Sequence, residues 1–233
     1  MTSDQEPVTA GELLARLELD PEWVKRRAEK AHARSQRSKA TRRDAEPLLE
    51  ALGEVGFEVT SVAELYEKYA HYEGAIPALL DWLPRIDNSV VKESIARALT
   101  LGRPDPATAR ILVEEFRRAS DPQKAALRWA IANALSLMAS DSVFEDVVDL
   151  AEDRRWGKAR QMLTLGLGNM DDPRAVGVLR NLLADEQVAG HAVMALGRLG
   201  ATAALSDIEP FVHASEAWVR DEATKAIARI KKS

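Results

Sequence analysis

VKESIARALTLG at 91–102, LRWAIANALSLM at 127–138, ARQMLTLGLGNM at 159–170, VAGHAVMALGRL at 188–199 and VRDEATKAIARI at 219–230 are five versions of one segment. In the first, Val91, Ile95, Ala98 and Leu99 fall at helical offsets and make one apolar face. Ile95, Ile131, Leu163, Ala192 and Ala223 hold equivalent places, at spacings of 36, 32, 29 and 31 residues. Small residues recur together at Ala98, Ala134, Gly166, Ala195 and Ala226. A small side chain at a fixed place in each helix lets neighbouring helices approach closely, so this position reads as packing.

A second kind of segment alternates with the first: AIPALLDWL from Ala75, TARILVEEF from Thr108, VFEDVVDLA from Val143, AVGVLRNLL from Ala175 and ALSDIEPFV from Ala204. Their spacings are 33, 35, 32 and 29. Each unit is therefore helix, turn, helix with a period near 32. A unit of this kind cannot bury its apolar face alone and must stack on its neighbours. The expected fold is all-α: an α-solenoid of about five two-helix repeats behind an N-terminal helical extension.

Turn chemistry agrees. Asp-Pro occurs at Asp20-Pro21, Asp105-Pro106, Asp121-Pro122 and Asp172-Pro173. An aspartate cap followed by proline starts a helix, because the N–H that proline lacks has no partner in the first turn. Ser61 with Glu64, and Ser142 with Glu145, have capping-box spacing. Gly102 and Gly200 stand where helices should end.

A valine–arginine pair, then a small residue, then Ala-Leu-Gly resembles the HEAT-like repeats of the phycobilisome-lyase type. VAGHAVMALGRLG from Val188 and WVRDEATKAIARI from Trp218 carry the pattern best, while Lys92 replaces the arginine and Ala189 lacks the charge. The resemblance spans residues 73–231. The whole chain is also similar to bacterial HEAT-repeat proteins with a comparable N-terminal extension, which imply an architecture and no activity. Two enzymatic groups use HEAT-like folds, the phycobilin lyases and the HEAT-like DNA glycosylases. No glycosylase motif matches here residue by residue, although Trp129 and basic residues are the kinds of group such a site uses.

The expected organisation is an extension over 1–56, a connector and capping helix over 57–72, and the repeats over 73–233. In the extension, residues 8–18 form a short helix and Asp20 starts a longer one. Pro47 should break or restart it, PLLEALGEV follows, and Gly53 or Gly56 ends it. The longer helix is strongly basic. Lys25, Arg26, Arg27, Lys30, Arg34, Arg37, Lys39, Arg42 and Arg43 face only Glu29, giving +8 locally in a chain of net charge -5. Such a helix is either solvated, or packed on an acidic body, or in contact with nucleic acid or an acidic protein.

Composition narrows the chemistry. With 46 % hydrophobic and 30 % charged residues, the chain suits a folded protein. The absence of cysteine removes disulfides, thiolate metal sites and cysteine nucleophiles. The polar start MTSDQEPVTA lacks the apolar core of a signal peptide. No apolar run approaches the roughly 20 residues of a membrane helix. A cytoplasmic protein with no membrane partner is expected. His32, His71, His191 and His213 show no metal-ligand spacing, and there is no HExxH, P-loop, GxSxG or GxGxxG. The carboxylate pairs Glu114-Glu115 and Asp171-Asp172 suit solvated helices and turns. Trp156 and Trp218 lie beside turns, where tryptophan is more often structural. No catalytic residue, metal or cofactor is assigned.

In arrays of this kind the second helices line the concave face. Opposite the apolar positions lie Glu93 and Arg97, then Trp129 and Asn133, Gln161 and Leu165, Gly190 and Met194, and Asp221 and Lys225. This column is charged at its ends and more apolar in its centre, like a protein-binding surface. Glu93, Arg97, Trp129, Asn133, Gln161, Leu165, Met194 and Lys225 are the candidate partner-binding residues. Lys92, Arg128, Arg160 and Arg220 also align, and should bond acidic or carbonyl groups in adjacent turns. The expected function is a non-catalytic scaffold or adaptor for a protein or peptide. The alternatives are nucleic-acid binding through 25–43, with Arg26, Arg27, Arg34, Arg37, Arg42 and Arg43 as contacts, or a toxin-immunity or antitoxin role.

Overall fold

A computed structural model of the chain describes residues 9–101, 105–138 and 140–232. Thirteen α-helices and no strand occur among them. The chain divides into two compact units, Met1–Asp44 and Ala45–Ser233. The expected boundaries at 56 and 72 therefore fall inside the second unit. No helix among the described residues is long and apolar enough to cross a membrane.

In the first unit, α1 (Ala10–Glu18) is opened by a reciprocal capping box between Thr9 and Glu12. Helix α2 (Pro21–Glu54) starts at Asp20, whose carboxylate accepts from the Glu22 N–H at 2.9 Å. It runs without a break through Pro47, against expectation. Proline in a helix interior removes one hydrogen bond and costs about 3 kcal/mol. Burial of Leu48 and Leu52 in the second unit's core holds the following turns helical, at about 2 kcal/mol per buried leucine. Gly56, at φ 93°, then ends the helix, and the Phe57 N–H reaches back to the Leu52 carbonyl at 2.9 Å.

The second unit continues with α3 (Glu64–Lys68), α4 (Ile76–Trp82) and α5 (Ser89–Ala98). Then come α6 (Pro106–Arg118), α7 (Ala125–Met138), α8 (Phe144–Glu152) and α9 (Ala159–Leu167). Last are α10 (Ala175–Leu182), α11 (Ala189–Arg198), α12 (Leu205–Ile208) and α13 (Ala217–Ile230). The packing alternates. Helix α6 lies on α7, α8 on α9, α10 on α11 and α12 on α13, while α5, α7, α9, α11 and α13 each pack against the next in that series.

Three of the four Asp-Pro starts are in place; at the fourth, Asp172-Pro173, the aspartate holds a turn and α10 begins later, at Ala175. Asp105 accepts from the Thr108 N–H at 2.8 Å, Asp121 from Gln123 at 2.9 Å and Asp172 from Arg174 at 2.9 Å. Gly200, at φ 60°, ends α11 with the Ala201 N–H on the Leu196 carbonyl. Gly102 lies outside the described residues. The two expected serine capping boxes do not form. Thr60, one residue earlier than Ser61, gives both its N–H and its hydroxyl to Glu64, at 2.8 and 2.7 Å. The Ser142 hydroxyl pairs with Ser140, and Glu145 goes to Arg174 instead. The first helix of the last unit is also shorter than expected, because Pro210 diverts it after α12 into a 3-10 stretch, Glu209–His213.

The recurrent small residues lie where successive helices touch. A β-carbon built on Gly197 would stand 2.6 Å from the Ala226 β-carbon, and one on Gly168 2.7 Å from the Ala195 α-carbon. Gly166 faces the Ser136 backbone at 3.1 Å. The α9–α11 and α11–α13 contacts are thus close backbone approaches.

Candidate functional site

The basic side chains second in four of the five repeated segments bond to neighbouring helices and turns, and the three arginines among them act as latches. Arg128 donates to the Ala119 carbonyl at 2.7 Å, at the end of α6. Arg160, 1 % exposed, donates to the Ala151 carbonyl at 2.6 Å, at the end of α8, and to Asp185 at 2.9 Å. Arg220 donates to the Ala214 and Ser215 carbonyls, both at 2.8 Å. Each guanidinium satisfies the unpaired carbonyls that end the preceding helical stretch. Lys92 differs: it pairs with Glu115 on α6, which also takes Arg118 at 2.6 Å. Glu115 is buried, not solvated as expected for its carboxylate pair, because two cations from different helices neutralise it.

With the latch positions and the apolar positions turned inward, the third and seventh residues of each segment remain. None of the eight candidate residues is buried. Arg97 pairs with Glu93 at 2.8 Å, and its guanidinium carbon lies 5.9 Å from the centre of the Trp129 ring. That contact joins α5 to α7. Gln161 donates to the Gln187 carbonyl at 3.0 Å, and Lys225 pairs with Glu222 at 2.7 Å. Asn133 is half-buried, and so are Trp129, Leu165 and Met194. The column therefore has an apolar middle that is partly open to solvent, between charged ends.

Of the two tryptophans beside turns, Trp156 behaves as packing, whereas Trp218 is 42 % exposed. Trp156 meets Phe116 edge-on at 5.1 Å. Trp218 lies over Gly190, where a β-carbon would collide with its ring, and gives its N–H to Glu216 at 2.8 Å. His191 lies beside it, ring centres 5.2 Å apart, with a buried Nδ1 that has no partner. Burial pushes the pKa of this histidine below its ordinary value. Among the described residues no His, Asp and Glu group is arranged to hold a metal ion.

One feature had no signal in the sequence. A cleft of about 420 Å³ opens between the start of α11 and the stretch leading into α13. Leu183, Phe211 and Val219 give it an apolar lining, and Glu186 and Glu216 stand at it as carboxylates. Its walls come from segments some 30 residues apart in the chain, which only the packing of α10, α11 and α13 brings together.

In the basic part of α2, all nine cations are exposed. Arg27 pairs with Glu18 at 3.1 Å and Arg43 with Asp44 at 3.4 Å. Arg26, Arg34, Arg37 and Arg42 have no ion-pair partner among the described residues.

No family profile matches this sequence, and no curated protein does. Among solved structures the chain is similar to an engineered protein from the Northeast Structural Genomics Consortium. The two are 19 % identical with a TM-score of 0.49, over 79 % of this chain and 99 % of that one.

Proposed function

We propose that residues 73–233 form a solenoid of five HEAT-like two-helix units, and that this solenoid is a non-catalytic scaffold for a protein or peptide in the cytoplasm. In this reading α5, α7, α9, α11 and α13 line the concave face, and the partner lies along the column from Glu93 to Lys225. The observation that carries it is the partly exposed apolar set Trp129, Leu165 and Met194 on successive inner helices. Covering the apolar area they still expose would supply the centre of an interface, with the Glu93–Arg97 and Glu222–Lys225 pairs as its polar rim.

The test is affinity capture from the native host followed by mass spectrometry. Trp129→Ala with Met194→Ala should abolish capture while leaving helicity and unfolding midpoint near those of the parent chain. Arg110→Ala with Glu114→Ala, exposed on α6, should leave capture intact. A folded Trp129/Met194 double variant that still captures the same partner would show the column is not the site.

A further inference from the structure

We propose that residues 25–43 of α2 bind duplex DNA, with the helix lying in the major groove and contacting the phosphates on both walls. The stretch is about 28 Å long at 1.5 Å per residue, and every cation on it is exposed. At 3.6 residues per turn, Arg26, Lys30, Arg34 and Arg37 fall on one side. Lys25, Lys39 and Arg43 fall on roughly the opposite side. Between the stripes runs the line Arg27, Ala31, Ser35, Ser38 and Arg42, with Ala28 beside it, so that its middle carries only small residues. An α-helix of roughly 10–12 Å diameter fits a major groove about 12 Å wide. Cations on two sides then meet two phosphate walls, and the small line faces the base edges.

Two further observations favour this occupant. All six unpaired cations other than Arg42 lie on these stripes, so their charge is available to an outside anion. The stretch has no apolar residue larger than alanine. A bilayer needs an apolar face and engages one side of a helix; an acidic protein would have little but charge to hold. A-form RNA, whose major groove is deep and narrow, does not admit the helix.

The experiment is fluorescence anisotropy of the full chain with a labelled random-sequence duplex of about 25 base pairs, from 50 to 200 mM salt. With about seven phosphates engaged, one for each cation of the two stripes, log affinity should fall against log salt with a slope of about -6. Arg26→Gln, Lys30→Gln, Arg34→Gln and Arg37→Gln together should reduce the slope to about -3 and weaken binding at least ~100-fold at 100 mM salt. Replacing the three arginines of that stripe by lysine should keep the slope. A parent slope shallower than about -2 overturns the proposal whatever the variants do. So does a folded four-glutamine variant with an unchanged slope. Equal or tighter binding to single-stranded DNA, to polyglutamate or to phosphatidylserine vesicles also overturns it, in favour of plain polyanion or membrane attraction.

Discussion

Gly197, in the last turn of α11, and Gly177, in the first turn of α10, are both helical, and alanine should have opposite effects at the two. Alanine is better than glycine in a helix by about 1 kcal/mol, so each change begins with that gain. At Gly177, on the exposed side of α10, a new β-carbon meets nothing within 4 Å. Gly177→Ala should therefore stabilise by about 0.5–1 kcal/mol. At Gly197 the new β-carbon would stand 2.6 Å from the Ala226 β-carbon and 2.8 Å from its α-carbon. Carbon atoms rest at about 3.5–4.0 Å, so α11 and α13 must separate by about 1 Å. Because the obstacle is partly backbone, no rotamer change relieves it. Overpacking of this kind costs about 1–3 kcal/mol, and the separation also loosens packing around Ala223, Ala226 and Ile230, all buried. The net expectation for Gly197→Ala is a loss of about 1–2 kcal/mol.

Urea unfolding followed by far-UV circular dichroism measures both changes, and thermal unfolding repeats the comparison. For a chain of this length about 1 kcal/mol moves the midpoint by roughly 2–4 °C. Gly177→Ala should raise it and Gly197→Ala should lower it. Adding Ala226→Gly to Gly197→Ala should show favourable coupling in a double-mutant cycle, since the second change removes the atom the first collides with. A Gly197→Ala chain as stable as the parent, or more so, would refute the close approach of α11 and α13. Zero coupling with Ala226→Gly would place the strain elsewhere.

Arg160→Met should destabilise by about 3–5 kcal/mol in urea unfolding, because it strands the Ala151 carbonyl and leaves Asp185 without its buried partner. Arg160→Lys should recover less than half of that, since one ammonium cannot reproduce the fork that reaches both acceptors. Tyr72, buried with its hydroxyl on the Ala98 carbonyl at 2.9 Å, has its pKa pushed up to about 12 by that burial. The unfolded chain ionises this phenol first, so stability should be full below about pH 10 and fall from there toward 12. Tyr72→Phe, which costs about 1 kcal/mol at neutral pH, should flatten that alkaline loss, as stability measured across the range will show.

What was legible in the sequence was whatever depends on neighbours along the chain. Asp20, Asp105 and Asp121 cap within three residues of themselves, so a dipeptide is enough to find them. The small residues recur at a fixed place in each segment and the latching arginines in three of the five, so repetition alone exposes them. What depends on a neighbour in space was not legible. Pro47 forbids a helix by local rules, yet the turns after it place Leu48 and Leu52 in the core, and that outweighs one lost hydrogen bond. Glu115 looks solvated beside Glu114 until Lys92, 23 residues earlier in the chain, is found against it. Local spacing also missed Thr60, because Ser61 offers the same chemistry one residue later and only the backbone path into α3 selects between them.

The candidate column stands between these two cases. Its positions are set by elimination: the second residue is turned to neighbouring turns or helices, as a carbonyl latch in three of the five segments, the first, fifth and eighth face the core, and the third and seventh are left. That geometry dictates where the column runs but not which side chains occupy it. A position needed only for solubility would carry charge throughout, as Glu93, Arg97 and Lys225 do. Instead the middle of the series holds Trp129, Leu165 and Met194, each half-buried, where each leaves some apolar area in water that a polar residue would not. Arg97 lies 5.9 Å from the ring centre of Trp129. Leu165 and Met194 come from α9 and α11, which pack directly on each other. A partner that covers Met194 therefore has Leu165 on the adjoining helix, so substitutions at the two positions should weaken its binding non-additively.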